Sequence, residues 1–351
     1  MNDVNKTTSV MGLSLQDLCE LQPDDPTLHI QLARQFMRED RGVVSLYAAK
    51  KAYNILIQEM PEKAAALVQE FGYEILSTSM HPLVSEVYLP LKTIFGAIAS
   101  ACRRVKLNNG DALFWVGEES DYIYLLVEGE LAINSEINGQ LVLLNYLHAG
   151  GLVGESVMEM KGKRMATVIA NQNCQLIRFT KDELFQAFEQ HPDLLVYFLK
   201  EMMLRKHVTK LAHNHLFAKL PMDLRFIVAN RLEIKHFKVG STIQSVKNKN
   251  EQKAKIIVNG IVHLYDQSMA GQRVYCGRLI VGNMFGVDKL FHALPTGILY
   301  VAETECEILD IDLNVIRDVM QISKPFAEKI RNETLMFTEQ LTRTVLLQHQ
   351  I

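Results

Sequence analysis

A carboxylate and a guanidinium lie close together in residues 150–170, among glycines. Gly151 and Gly154 precede Glu155, and Arg164 follows nine residues later, directly before the strand-like segment Ala-Thr-Val-Ile-Ala. Free amides at a helix start attract anions, and arginine is a permanently charged, forked donor that suits phosphate. Because a phosphate would repel the carboxylate, Glu155 needs a different partner, and a sugar hydroxyl is one. The stretch therefore predicts an anion site with an acceptor for hydroxyl groups beside it.

This stretch, called the first cassette below, resembles the phosphate-binding cassette of the cyclic nucleotide-binding domain family. That family includes catabolite-activator-type regulators and protein kinase A regulatory subunits. The positions that match its pattern at the usual spacing are Gly154-Glu155, Arg164, Ala166-Thr167-Val168 and Ala170. Val153 stands where Phe is usual, and Ser156-Val157 where Leu-Ala is usual. The alternative is a surface hairpin in which the Gly-Glu pair and the arginine have no special role.

The resemblance implies that the glutamate binds the ribose 2′-hydroxyl and that the arginine binds the cyclic phosphate. The implied ligand-binding residues are Gly154, Glu155, Ser156, Arg164, Met165, Ala166 and Thr167. Backbone amides of Ser156 and of Met165 or Ala166 are expected to add donors. The resemblance also implies that the next helix covers the base as a lid. The candidates for this lid are Tyr197, Phe198, Met202 and Met203, and each of them could instead be a core residue.

Cyclic AMP is the preferred ligand over cyclic GMP. Relatives selective for GMP often carry a hydroxyl residue directly after the arginine, where this chain has Met165. A cyclic dinucleotide such as cyclic di-GMP is the alternative ligand.

Composition sets limits on the class of protein. A chain of 351 residues has room for two or three domains, and 48% hydrophobic with 22% charged residues is ordinary for a globular protein. A net charge of −3 gives no general attraction to nucleic acid or to anionic membrane. Five scattered cysteines without a Cys-x-x-Cys pair predict free thiols and no zinc site. With no long apolar run and no signal peptide, we expect a cytoplasmic location.

Periodicity divides the chain into a helical part and a strand-rich part. Residues 1–13 are polar and predict a flexible tail, and Ser14 with Asp17 predicts a helix capping box. Apolar residues at helical spacing predict a helical domain over 14–85, which weakly resembles a tetratricopeptide hairpin. Glycines at the corners of short strands predict an antiparallel β-roll with flanking helices over 86–210, led by a short helix that carries Ile94, Ile98 and Val105.

The pattern of the roll repeats over 211–351 and ends in a long helix. When Cys306 is aligned with Cys174, Val287 replaces Glu155 and Thr296 replaces Arg164. Loss of the arginine removes a charge-assisted hydrogen bond worth about 1.5–3 kcal/mol. The second roll is therefore predicted to be a degenerate copy that keeps the framework without the two binding side chains. Asp288 could supply a carboxylate, and binding of a different ligand is the alternative for this roll.

Together these features predict an α+β protein with an N-terminal helical domain and two tandem cyclic nucleotide-binding β-rolls with flanking helices. We expect a non-enzymatic sensor that binds a cyclic mononucleotide in the first roll and signals through a helix shift to a protein partner. The alternative is a ligand-independent interaction scaffold.

Other classes of function lack their sequence signals. There is no Walker glycine loop, no His-Glu-x-x-His and no Gly-x-Ser-x-Gly, so no catalytic residue, metal or further cofactor is expected. No helix-turn-helix follows the second roll, which favours a protein effector over DNA. The net charge and the lack of a long apolar run give no reason to expect a membrane partner. A homodimer is left open.

Overall fold

A computed structural model describes residues 14–72, 103–137, 139–149, 151–158, 162–190, 192–245, 252–267, 273–291 and 298–348. The expected tail, the end of the helical domain near residue 85, Ile94 and Ile98 lie outside these residues. Contacts between Cα atoms divide the chain into two units, 1–32 with 46–209 and 33–45 with 210–351. The predicted boundaries near residues 85 and 210 therefore stay predictions, and each unit is described by itself.

The N-terminal part is helical, as its periodicity predicts. Its helices are α1 (Leu15–Leu21), α2 (Pro26–Arg38), α3 (Gly42–Glu59) and α4 (Pro61–Phe71). The capping box at the start of α1 is confirmed, because the Asp17 amide donates to the Ser14 hydroxyl at 3.1 Å and the Asp17 carboxylate accepts from the Ser14 amide at 2.8 Å. Pro61 begins α4, where a missing amide N–H carries no penalty.

Eight short strands follow and form the first roll, as predicted. They are β1 (Arg104–Leu107), β2 (Ala112–Phe114), β3 (Tyr122–Glu128), β4 (Glu130–Ile137), β5 (Gln140–His148), β6 (Leu152–Val153), β7 (Thr167–Ala170) and β8 (Cys174–Thr180). They pair in two antiparallel sheets, ordered β1-β8-β3-β6 and β2-β7-β4-β5. Helices α5 (Lys181–Gln190) and α6 (Pro192–His213) come next.

One local expectation is wrong. Val105 lies in strand β1 and not in a helix, because Val105 and Leu107 alternate with exposed residues and pair with β8, Val105 opposite Leu176. The core of the first roll is formed by alternate residues of β3 and β8, such as Ile123 and Phe179, together with residues of the two following helices.

The second roll repeats this architecture. Its strands are β9 (Leu232–Phe237), β10 (Thr242–Ser245), β11 (Lys253–Asn259), β12 (Val262–Asp266), β13 (Val274–Leu279), β14 (Met284–Phe285), β15 (Ile298–Ala302) and β16 (Cys306–Asp312). Its sheets are ordered β9-β16-β11-β14 and β10-β15-β12-β13, which is the order of the first roll with every strand number raised by eight. Even the register is kept, since Cys174 lies opposite Leu107 and Cys306 opposite Phe237. The predicted tandem repeat is confirmed.

Helices precede and follow the strands of the second roll along the chain. Helix α7 (Met222–Ala229) precedes it, and α8 (Leu313–Ile322) and α9 (Lys324–Gln348) follow. Leu341 of α9 belongs to the hydrophobic core of this roll, with Phe337 and Val345 packed beside it. Among the helices that the structure describes, none combines the length and the apolar character needed to cross a bilayer.

Candidate ligand site

The first cassette begins with a tight turn. Strand β6 pairs with β3, Gly154 adopts a positive φ of 90°, and a short 3₁₀ helix, Glu155–Met158, follows. A Cβ atom on residue 154 would lie 2.4 Å from Nη1 of Arg164 and 3.1 Å from the Tyr122 carbonyl oxygen. Glycine is needed here both for its backbone angle and because the guanidinium approaches so closely.

Arg164 points into the roll, and only 2% of it is exposed. Its Nη1 donates to the Gly154 carbonyl at 3.0 Å, and its Nη2 donates to the Ser120 hydroxyl and the Tyr122 carbonyl, both at 2.8 Å. Its Nε is buried and has no hydrogen-bond partner in the described part of the chain. Guanidinium carries five N–H donors, so this arrangement holds the group firmly and leaves donors available.

Two aromatic rings flank the same guanidinium. The Cζ atom lies 4.1 Å from the centroid of the Phe114 ring and 5.7 Å from that of Tyr124, which are cation–π distances. Burial lowers the pKa of Arg164, while Tyr124, Glu155 and Glu118 favour its charged form. Because guanidinium titrates far above neutral pH, the group stays a buried cation.

Glu155 contacts a cation from the helix that follows the roll. Its Oε1 lies 3.2 Å from Nη1 of Arg205 on α6, and the same nitrogen donates to the Leu152 carbonyl at 2.5 Å. The sequence analysis missed Arg205. A signal existed, because Arg205 follows Phe198 by seven positions and Met202 by three, which places all three on one helix face.

The other predicted site residues have separate surroundings. The Ser156 hydroxyl donates to the Lys163 carbonyl at 3.3 Å, close to the turn. Thr167 is buried, and its hydroxyl accepts a hydrogen bond from the Val116 amide at 3.1 Å, which connects β7 to the segment directly after β2. Ala166 is half-buried and Met165 is 56% exposed.

The lid candidates lie mostly in the core. Phe198 and Met202 are buried in one hydrophobic cluster with Val157 of the cassette, so they support the 3₁₀ helix from behind. Met203 is exposed, and the side chain of Tyr197 lies outside the described residues. Among the described side chains of α6, Arg205 contacts Glu155 at the cassette surface, whereas Phe198 and Met202 pack beneath it.

The second cassette has the same backbone with different side chains. Gly286 has a φ of 82° and the 3₁₀ helix Val287–Leu290 follows, with Val287 buried where the first cassette has its glutamate. Thr296 lies outside the described residues. A Cβ on residue 286 would lie 3.2 Å from Oε1 of Gln244 and 3.4 Å from its Nε2. An uncharged amide therefore occupies the place that the Arg164 guanidinium takes in the first roll.

The sequence alignment did not reveal this replacement, because Gln244 is on another strand. Gln244 lies opposite Tyr300 in the β10–β15 pair, as Phe114 lies opposite Val168 in β2–β7. Gln244 thus corresponds to the aromatic residue that packs on the guanidinium and not to the arginine itself.

Residues 104–191, which hold the first roll, its cassette and α5, match the family model of the cyclic nucleotide-binding domain. This part of the chain is a cyclic nucleotide-binding domain. The arrangement of Gly154, Glu155 and Arg164 described above lies inside it.

Similar proteins carry this domain in different settings. The chain is 28% identical over 112 residues to the cAMP-activated global transcriptional regulator CRP of Salmonella typhimurium, covering 31% of this chain and 53% of that protein. It is 27% identical over 93 residues to the lysophospholipase nte1 of Aspergillus niger, covering 26% of this chain and 6% of that protein. The chain thus spans about half the length of the regulator and a small part of the enzyme.

Solved structures of similar fold include the regulatory domain of Toxoplasma gondii protein kinase A with cAMP. It shares 17% identity and a TM-score of 0.34 with this chain and covers 71% of this chain and 96% of that one.

Proposed function

We propose that this chain is a non-enzymatic sensor whose cyclic nucleotide-binding domain binds a cyclic mononucleotide, with cyclic AMP preferred. The observation that carries the proposal is the buried Arg164 cation. Its acceptors are two carbonyls and a hydroxyl, none of them a carboxylate, and its Nε lacks a partner in the described part of the chain. A buried cation with no carboxylate hydrogen-bonded to it is costly, so an entering phosphate anion would be stabilised there.

The rest of the proposed pose follows from the cassette geometry. The cyclic phosphate would contact Arg164 and the amides of Ser156 and of Met165 or Ala166. Glu155 would accept a hydrogen bond from the ribose 2′-hydroxyl. The carboxylate is already oriented by Arg205 at 3.2 Å, which limits the entropy lost when it binds the sugar.

The same ion pair suggests how binding is transmitted. Arg205 belongs to α6, so a ligand that engages Glu155 changes the partner of a side chain on that helix. A ligand shifts such an equilibrium only by its difference in affinity between the two arrangements. We propose that α6 shifts when the sugar hydroxyl binds and that a protein effector responds to this shift.

The preference for cyclic AMP is proposed from residue 165. Met165 is 56% exposed and offers no hydroxyl to a guanine base. Titration with cyclic GMP, side by side with cyclic AMP, tests this preference, and equal affinity for the two would contradict it.

Isothermal titration calorimetry on the purified full chain tests the site. We expect cyclic AMP to bind, and Arg164→Ala to weaken binding on the order of 10- to 100-fold, because a charge-assisted hydrogen bond is worth about 1.5–3 kcal/mol. Arg104→Ala, at an exposed arginine of the same roll, is the matched control and should bind normally. No heat with any cyclic mononucleotide, or unchanged affinity in a folded Arg164→Ala variant, would refute the proposal.

A further inference from the structure

The second roll contains a cavity of about 580 Å³ beside its cassette. Residues 283–288 form one wall, including Phe285, Gly286 and Asp288, and α9 forms the other with Phe337 and Thr344. A volume of a few hundred Å³ is typical of sites for small molecules. The cavity therefore has the size and the aromatic walls that a nucleoside-sized molecule needs.

The charges around the cavity disfavour an anion. Its lining carries the carboxyl groups of Asp288, Glu333 and Glu339 and the guanidinium of Arg343. A phosphate in the cavity would therefore face more negative than positive groups, and like charges repel. Behind the wall, next to Gly286, the second roll has the neutral amide of Gln244 where the first roll has Arg164 next to Gly154.

Polar groups for an uncharged ligand are present at the same wall. Asp288 is buried in the position that Ser156 holds in the first cassette, one residue beyond the equivalent of Glu155. On the facing wall, Gln340 and Thr344 of α9 add uncharged polar side chains to the lining. A ligand that brings hydroxyl or amide groups can form hydrogen bonds with these polar side chains and needs no counter-charge.

We infer that this cavity binds an uncharged, hydroxyl-bearing molecule of nucleoside size and excludes its phosphate esters. The carboxyl group of Asp288 accepts a ligand hydroxyl, and the rings of Phe285 and Phe337 contact its flat part. The inference concerns the second roll alone and goes beyond the function proposed for the first.

Calorimetry on the full chain tests this inference with adenosine, guanosine and uridine, each beside its 5′-monophosphate. We expect at least one nucleoside to bind and its monophosphate to bind at least tenfold more weakly. Thr344→Trp places a large ring in the cavity and should weaken nucleoside binding at least tenfold. Asn332→Trp, at an exposed position of the same helix outside the cavity, is the matched control.

A second pair of variants separates the two rolls. Arg164→Ala alters only the first cassette and should leave nucleoside binding unchanged. If Thr344→Trp does not fold, as judged by circular dichroism, Gln340→Trp at an exposed position of the same wall replaces it. The inference is overturned if none of the three nucleosides binds, if a monophosphate binds as tightly as its nucleoside, or if Arg164→Ala removes the binding.

Discussion

The buried carboxyl group of Asp288 should make the stability of the second roll depend on pH. Only 7% of this residue is exposed, and burial raises the pKa of Asp288 from its usual 3.8 to about 6. Hydrogen bonds from the amides of Asp288 and Gly286 and the charge of Lys289 act in the opposite direction without cancelling the effect of burial. We expect Asp288→Asn to remove this dependence, since the amide has nearly the same shape and does not titrate.

The raised pKa of Asp288 determines whether stability rises or falls with pH. The folded state holds the proton more tightly than the unfolded state, so the wild type is most stable below the unfolded pKa and loses stability as pH rises through the folded pKa. The total loss is about 3 kcal/mol, from about 1.4 kcal/mol for each pKa unit. About 2 kcal/mol of this loss falls between pH 4.5 and pH 7.5. The stability of Asp288→Asn relative to wild type should therefore increase by about 2 kcal/mol over this range.

The two rolls can be read separately in one experiment. The chain has a single tryptophan, Trp115, which lies in the first roll, so its fluorescence reports unfolding there. Hydrogen exchange of peptides from β11, β15 and β16, measured against denaturant by mass spectrometry, reports the second roll. Asp312→Asn, at an exposed carboxylate of the second roll, is the control and should behave as wild type. A stability difference between Asp288→Asn and wild type that is the same at both pH values would contradict a titrating Asp288. So would an equal shift with pH in the stability of the first roll, read from Trp115, and of the second roll, read from hydrogen exchange.

Two further predictions concern the first cassette. Gly139→Ala places a side chain at positive φ in open space and should lose about 1–2 kcal/mol of stability. Gly154→Ala should lose at least as much, because its Cβ also meets Arg164. Only the variant at 154 should lose cyclic AMP affinity, at least tenfold by calorimetry. Equal affinities in the two would contradict this account of the turn. Phe114→Leu removes a ring 4.1 Å from the guanidinium and should weaken cyclic AMP binding by up to about 30-fold, for a cation–π contribution of about 0.5–2 kcal/mol. Phe185→Leu, at an exposed ring on α5, is the control, and an equal effect of the two would count against a positioning role for Phe114.

The architecture was predictable because its signals are local. Glycines at strand corners, such as Gly110 and Gly129, mark turns with positive φ, and short alternating segments between them mark strands. The repeat adds a second, independent copy of the same signals, so the succession of strands and helices along both rolls could be expected from the sequence. The prediction of a helix at Val105 was wrong because one apolar residue between charged neighbours fits a helix or a strand equally well. Pairing with β8 makes this segment a strand.

The contacts of the site were harder to predict because they join distant parts of the chain. The glycine, glutamate and arginine of the cassette follow a known spacing, whereas the partner of Glu155 comes from α6, fifty residues later. Gln244 was missed for a related reason. Alignment of the two rolls pairs Arg164 with residue 296 only. In the structure, however, the space next to Gly286 is filled by Gln244 of strand β10. The ligand-binding roles and the lid remain predictions.

The interior of the second roll differs from the first at several positions together. Strand register shows which residue of the second roll corresponds to which residue of the first. Gln244 corresponds to Phe114, Lys255 to Tyr124, Tyr300 to Val168 and Asp310 to Arg178. Two of these changes depend on each other, because Lys255 and Asp310 are both buried and form an ion pair at 3.1 Å. Removing one partner of such a pair typically costs about 3–5 kcal/mol, so neither change is tolerated alone. Loss of the arginine by itself would have left the two aromatic residues in place. The second roll is therefore better explained as a rebuilt site, with its own buried charges and unpaired polar groups, than as the first site with one residue removed.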